Sequence, residues 1–323
     1  MTAAPDGLIY VSRLLTDRAM THLRSLAAPL RVGGEDPPSH ADLQAGIAGA
    51  SAAVVTLTER VDADLLAAAG PQLRVVANVA VGYDNIDVSA ASAAGVTITN
   101  TPGVLDRATA DHTFALILAA ARRITEGDRL IRSRKPWIWG PRMLVGLDVS
   151  ADATLGIVGY GRIGTAVAHR AKAFDMTVVA TSRSRQPGTE EDGVTFVDID
   201  TLLADSDVVC VLTPLTPQTR NLIDASALRA MKPTAYLVNT ARGGVVEESA
   251  LIDALHAGEI RGAALDVFEN EPHVNPALLD APNLVLTPHI ASAGEATRDA
   301  MGILAIDNAA AVLAGRAPLT PVS

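Results

Sequence analysis

The chain has 323 residues, more than one hydrophobic core usually serves, so two domains are expected. Apolar residues make up 49% and charged residues 19%, which excludes general disorder; aromatics at 3% leave aliphatic side chains and Ala to fill the core and argue against a base-stacking surface. The formal net charge of −10 repels phosphate backbones, so nucleic acid is not expected as a partner.

Short apolar runs alternate with helical patterns from the start. Leu8–Val11 reads as a strand, followed by a helix from about Thr16 with Met20, Leu23, Ala27 and Leu30 on one face. Gly33–His40 is a loop by its Gly and Pro content. Ala53–Leu57, Leu73–Ala77 and Val96–Thr99 are further strands with helices between. A long helix is expected from Asp106 to Ile124, then an irregular stretch, Arg132–Gly146, that holds both Trp residues. A second series begins at Thr154–Val158 and continues with strands at Thr177–Thr181, Val208–Leu212, Ala235–Asn239, Ala263–Phe268 and Leu284–Thr287. A last helix spans Gly294–Gly315, with Met301, Leu304, Ala305, Ala309 and Val312 in register. The alternation predicts an α/β protein with two doubly wound parallel sheets. The lone Cys, Cys210, sits in an apolar run and reads as a buried strand residue. No run approaches the ~18 apolar residues of a spanning helix, and no leader pattern opens the chain, so a cytoplasmic protein without membrane partner is expected.

Gly159-Tyr160-Gly161-Arg162-Ile163-Gly164 fits the G-x-G-x-x-G dinucleotide fingerprint. The apolar run Thr154–Val158 precedes it and a helical pattern follows, the strand–turn–helix that pyrophosphate binding needs. The next strand ends at Thr181. An NAD site usually places Asp or Glu there for the ribose hydroxyls; here Ser182-Arg183-Ser184-Arg185 follows, with no acid until Glu190. An Arg there forks onto a 2′-phosphate, so NADP(H) is the preferred cofactor, with NAD(H) as the alternative.

Three polar residues follow three successive strands: Arg242, Glu271 and His289. In a parallel sheet all carboxyl ends share one edge, where ligands bind. Arg grips a carboxylate, His exchanges a proton, and a carboxylate beside an imidazole orients it and favours its charged form. His22, His40, His112, His169, His256 and His273 have no comparable sequence setting, and no cluster has metal-ligand spacing.

The chain resembles the D-isomer-specific 2-hydroxyacid dehydrogenase family, in particular its glyoxylate/hydroxypyruvate reductase branch. The resemblance runs through Val79–Asp87, Asn100–Leu105, Leu155–Gly164, Val238–Gly243, Leu265–Pro272 and Thr287–Ala293. It implies that Arg242, Glu271 and His289 are catalytic. It assigns the substrate carboxylate to the amides of Val81 and Gly82, with Arg242 and His289. It places Tyr160–Ile163 on the pyrophosphate and Ser182–Ser184 on the 2′-phosphate. Thr213, Pro214, Thr240, Ala241 and Asp266 line the rest of the cofactor. The implied architecture is an NAD(P)-binding domain, 102–288, inserted into a flavodoxin-like substrate domain, 1–101 and 289–323. A homodimer through the cofactor domains is implied, with Trp137 or Trp139 reaching the partner's site; Trp139 is carried forward as the candidate. Glu271, in place of Gln, argues against formate dehydrogenase activity, and the short end after the last helix against a serine-feedback domain. Two rivals remain: an NAD-dependent short phosphoglycerate or other D-2-hydroxyacid dehydrogenase, and a dinucleotide-sensing corepressor-like module. The acid-free Ser182–Arg185 disfavours the first; the acidic charge and the lack of an extended tail disfavour the second.

Overall fold

The computed structural model describes residues 6–150 and 152–322; residues 1–5, Ala151 and Ser323, part of the sequence ranges above, lie outside it. The chain divides into two compact units, Met1–Leu105 with Ala293–Ser323, and Asp106–Ser292.

The first unit is built on β1 (Ile9–Val11), β2 (Leu30–Val32), β3 (Ala52–Val55), β4 (Val75–Asn78) and β5 (Thr97–Thr99). All pairings are parallel in the order β2-β1-β3-β4-β5, the flavodoxin-like winding. Helices on both faces explain why β3 and β4 read as unbroken apolar runs: every residue of both is buried. Helix starts follow from side-chain caps. Asp62 accepts from the Leu65 amide at 3.1 Å and Asp87 from the Ala90 amide at 2.9 Å.

Two expectations in this unit need correction. The first helix is only Asp17–Ser25, because Ala27 turns left-handed (φ 53°) and Leu30 opens edge strand β2. That strand escaped notice because it is half-buried to exposed. The last helix, Glu295–Leu313, buries a wider face than the one predicted: Gly302, Ile306, Asn308 and Ala310 join Met301, Ala305 and Ala309, while Leu304 and Val312 are only half-buried.

The second unit carries β6 (Thr154–Val158), β7 (Thr177–Thr181), β8 (Glu190–Glu191), β9 (Val194–Phe196), β10 (Val208–Val211), β11 (Tyr236–Asn239), β12 (Gly262–Leu265) and β13 (Leu284–Leu286). Their order is β13-β12-β11-β10-β6-β7-β9-β8, parallel except for the β8–β9 hairpin. The winding reverses at β6, which lies between β7 and β10, so a crevice opens beyond its carboxyl end. Phe114 and Ile117, from the helix Asp106–Ala121, cover one face of the sheet; Leu202, Leu228 and Leu251 cover the other. Each such fully buried side chain contributes about 1.5–3 kcal/mol. Cys210 is fully buried in β10, and burial pushes its thiol far above the ordinary range.

The expected helix Asp106–Ile124 stops at Ala121. Arg123 is left-handed (φ 53°), the Leu147 amide caps the Ala121 carbonyl at 2.8 Å, and a separate helix, Ile124–Arg132, follows. No helix among the described residues is long and apolar enough to cross a membrane.

Candidate active site

The fingerprint turn follows β6. Gly159 has φ +102°, and a Cβ there would lie within 2.9 Å of the backbone of Leu212 and Thr213, just beyond β10. The space above Gly161 is open, so a Cβ would fill the place where a pyrophosphate approaches the backbone. Gly161 also caps the helix Arg162–Ala173 without a side-chain bond, leaving its first amides for an anion. Gly164 is buried on that helix, and Ile163 packs against the core. The Tyr160 amide donates to Thr181 O at 3.1 Å, fastening the turn to the end of β7. These residues fit a dinucleotide.

The segment after β7 is split in its behaviour. Ser182 and Ser184 hydroxyls stand 3.2 Å apart. Arg183 is exposed and makes no hydrogen bond or ion pair among the described residues. Arg185 forks onto Glu191 at 2.6 and 3.0 Å and stacks over the rings of Tyr160 and Phe196, 5.2 and 5.3 Å from their centroids. The segment from Thr181 to Arg185 holds no acid of its own, yet one stands beside it. The hairpin brings Glu191 to this segment, and Arg185's hydrogen bond holds that carboxyl below its ordinary value.

Beyond β10, Thr213 is half-buried beside Gly159, and the Pro214 carbonyl accepts from Thr219 Oγ1 at 2.6 Å. Beyond β11, the Thr240 hydroxyl meets that of Thr113 at 2.7 Å. Asn239 closes the turn, accepting from the Ala241 amide at 3.0 Å and donating to Arg242 O at 2.9 Å, which leaves Arg242 half-buried at the strand end.

His289 Nδ1 and Glu271 Oε2 are 2.7 Å apart. The other Glu271 oxygen accepts from the Phe268 amide at 2.9 Å, so the carboxylate also ties its own turn. Burial pushes the Glu271 carboxyl up, but the His289 hydrogen bond and charge, the Phe268 amide and the Arg242 charge outweigh it, and the net shift is downward. His289 itself has φ 54°, a left-handed conformation that costs backbone energy. Asp266 holds it there. This fully buried carboxylate accepts from Thr287 Oγ1 at 2.6 Å, the Ile290 amide at 2.9 Å and the Ala291 amide at 2.8 Å, while Asp266 O accepts from the His289 amide at 2.8 Å. Within this chain Asp266 thus fastens the His289 loop.

His112 has a polar setting after all. Its Nε2 lies 3.1 Å from Thr287 Oγ1 and 3.3 Å from Asp266 Oδ1, and His22 likewise meets Asp307 at 2.7 Å. Neither contact is visible in sequence, since 154 or more positions separate the partners. Val81 and Gly82 follow β4 in the other unit and are half-buried. Trp137 and Trp139 are both exposed.

An imidazole that can hand a proton to an oxygen, set on the same sheet edge as a dinucleotide turn, is the equipment of an NAD(P)-dependent oxidoreductase acting on a CH–OH group. Residues 114–291 match the family described as D-isomer specific 2-hydroxyacid dehydrogenase, NAD binding domain. The chain is 48% identical over 277 residues to a glyoxylate reductase of Thermococcus onnurineus, covering 84% of this chain and 82% of that one. It is 45% identical over 314 residues to a glyoxylate reductase of Korarchaeum cryptofilum, covering 96% and 94%. Among solved structures, an NADPH-dependent glyoxylate/hydroxypyruvate reductase from Sinorhizobium meliloti, in complex with NADP and malonate, superposes with a TM-score of 0.84 at 34% identity, covering 98% of this chain and 96% of that one. The chain belongs to the D-isomer-specific 2-hydroxyacid dehydrogenase family.

Proposed function

We propose that this protein is an NADPH-preferring reductase of glyoxylate, hydroxypyruvate or a related small 2-oxo acid, yielding the D-2-hydroxy acid. The observation that carries the reading is the His289–Glu271 pair at the carboxyl edge of a dinucleotide-binding sheet, 2.7 Å apart, with Arg242 on the same edge. The names of the similar reductases support the substrate class. The exposed Arg183 after β7, without a partner among the described residues and with no acid in its own segment, supports the cofactor preference.

In this reading the cofactor supplies a hydride to the keto carbon. Arg242 grips and orients the substrate carboxylate, and the family resemblance adds the amides of Val81 and Gly82. Glu271 takes Nδ1–H of His289, so Nε2 carries the proton that passes to the developing alkoxide. The unit Asp106–Ser292 is the cofactor domain and the other unit the substrate domain. A homodimer through the cofactor domains is supported by the helix Ile124–Arg132, which buries no residue in the single chain, and by the exposed Ile131, Trp137, Ile138, Trp139 and Val145 beside it. The dimer is the setting in which Trp139 would meet a partner's substrate.

A panel of small 2-oxo acids with NADPH and with NADH tests the reading. Turnover of glyoxylate or hydroxypyruvate is expected to lead the panel. Absence of turnover on every 2-oxo acid would leave the sensing-module reading standing instead.

A further inference from the structure

The clamp on the His289 loop extends beyond Asp266 to the helix Asp106–Ala121, all inside the Asp106–Ser292 unit. Both peptide planes that flank the His289 Cα are held. The His289 amide, in the plane of the Pro288 carbonyl, donates to Asp266 O at 2.8 Å and to Thr287 O at 3.1 Å. The Ile290 amide, in the plane of the His289 carbonyl, donates to Asp266 Oδ1 at 2.9 Å. Two held planes set φ and ψ of the residue between them, so the left-handed φ of 54° depends on where Oδ1 stands.

Oδ1 has two further neighbours. Thr287 Oγ1 donates to it at 2.6 Å, and His112 Nε2 lies 3.3 Å from it and 3.1 Å from Thr287 Oγ1. A hydroxyl has one hydrogen. The short bond to the buried carboxylate takes that of Thr287, so toward His112 the Thr287 oxygen can only accept. A bare Nε2 lone pair would then face two acceptor oxygens, one of them a carboxylate's. The arrangement holds together only if Nε2 carries a hydrogen, which donates to Thr287 Oγ1 with Asp266 Oδ1 close behind it. The imidazole thus braces the oxygen that orients the His289–Ile290 peptide. Thr113, the next residue of the helix, works the same way. Its hydroxyl donates to Thr109 O at 2.8 Å, so the 2.7 Å contact with Thr240 is donated by Thr240. His112 and Thr113 together tie the residues just beyond β11, β12 and β13 to one helix.

We propose that His112 is a positioning residue for the proton donor: its Nε2–H braces Thr287 and the Asp266 carboxylate, and through them the backbone conformation of His289. The inference rests on the reading above that His289 hands its proton to the developing alkoxide. His112 does not touch the substrate in this scheme. Without it the carboxylate keeps its three other donors, Thr287 Oγ1 and the Ile290 and Ala291 amides, but gains freedom to turn, and the His289 ring loses its aim.

The test has two arms. Nitrogen NMR of isotope-labelled histidines in the wild-type protein at neutral pH, with His112→Gln to assign the signal, should show a hydrogen on His112 Nε2. In steady state with glyoxylate, His112→Ala should lower kcat about tenfold, with KM for glyoxylate and the Kd of NADPH within about twofold of wild type. The isotope effect of deuterium at the transferred hydride should rise in that variant, because the chemical step slows relative to product release. His112→Gln keeps an N–H donor at the same reach and should recover kcat to within about threefold. Thr287→Val removes the hydroxyl between His112 and Asp266 and should slow the enzyme as His112→Ala does. An Nε2 without a hydrogen, or an Ala variant with wild-type kcat and isotope effect, would overturn the proposal. So would a Gln variant as slow as the Ala variant. If His112→Ala does not fold, the Gln and Thr287→Val variants and the wild-type NMR carry the test. A His289→Ala enzyme as fast as wild type would instead overturn the reading of His289 as proton donor, which the NMR arm leaves separate.

Discussion

Two strand-end segments of the Asp106–Ser292 unit handle their polar groups in opposite ways. The loop after β13, Thr287–Ala291, is fastened at nearly every amide. A single buried carboxylate, Asp266, takes a hydroxyl and two amides, and His289 is kept in a left-handed conformation that an untethered loop would relax. The segment after β7, Ser182–Arg185, is open: two serine hydroxyls near one another, one arginine locked to Glu191 and the rings, and one arginine exposed. In the proposed reaction the first segment carries the proton donor, which must be fixed to a fraction of an ångström. The second segment is proposed to read a 2′-phosphate, which needs charge within reach and no rigid frame.

The contrast predicts its largest effect at His289. His289→Ala should lower kcat by ~10²–10⁴ while the NADPH Kd stays near wild type. A fall in cofactor affinity as large as the fall in kcat would break the division of labour between the two segments.

Glu271→Gln should act on the first segment through pH. The imidazole loses its anionic neighbour, so the alkaline limb of the reduction profile should move to lower pH. The stability effect has a definite sign. Glu271's carboxyl titrates below its ordinary value of 4.5 in the folded protein. The ionised group therefore stabilises the fold at pH above that value, and the contribution is lost as pH falls through the folded pKa. Glu271→Gln should lower Tm at neutral pH, and the gap from wild type should close toward acid. Thermal melts between pH 7 and pH 3 check this; a gap that widens on acidification contradicts it.

The smallest effect sharpens the second segment. Glu191→Gln removes a carboxylate from beside the Ser182–Arg185 segment and releases Arg185 from its ion pair. The ratio of kcat/KM for NADPH over NADH should rise about two- to threefold. A falling ratio would mean that Arg185 serves the cofactor best while locked.

Much of this contrast was legible in the sequence, for reasons that can be named. β6, the fingerprint turn and the helix after it stood out because a buried parallel strand, a Gly-rich turn and an amphipathic helix each leave a local pattern. Arg242, Glu271 and His289 stood out because each closely follows an apolar run. β2, β8 and β9 did not, being short, and β2 and β8 exposed. The contacts that set the chemistry were illegible because they join distant positions. Asp266 reaches forward to Ala291, His112 to Thr287, and Glu191 reaches Arg185 only because a two-residue strand folds back on β9. No local pattern reports which carboxylate will pair with which cation once the chain is wound.

The measurement that decides whether the protein is an NADPH-preferring 2-oxo acid reductase is kcat/KM for NADPH and NADH with glyoxylate saturating, in wild type and in Arg183→Ala. A charge-assisted bond to the 2′-phosphate contributes roughly ten- to hundredfold in preference, so wild type should favour NADPH by at least ~10-fold. Arg183→Ala should erase most of that gap by weakening NADPH and leave NADH little changed. A wild-type preference for NADH, or an Arg183→Ala enzyme that retains the full NADPH preference, would contradict it.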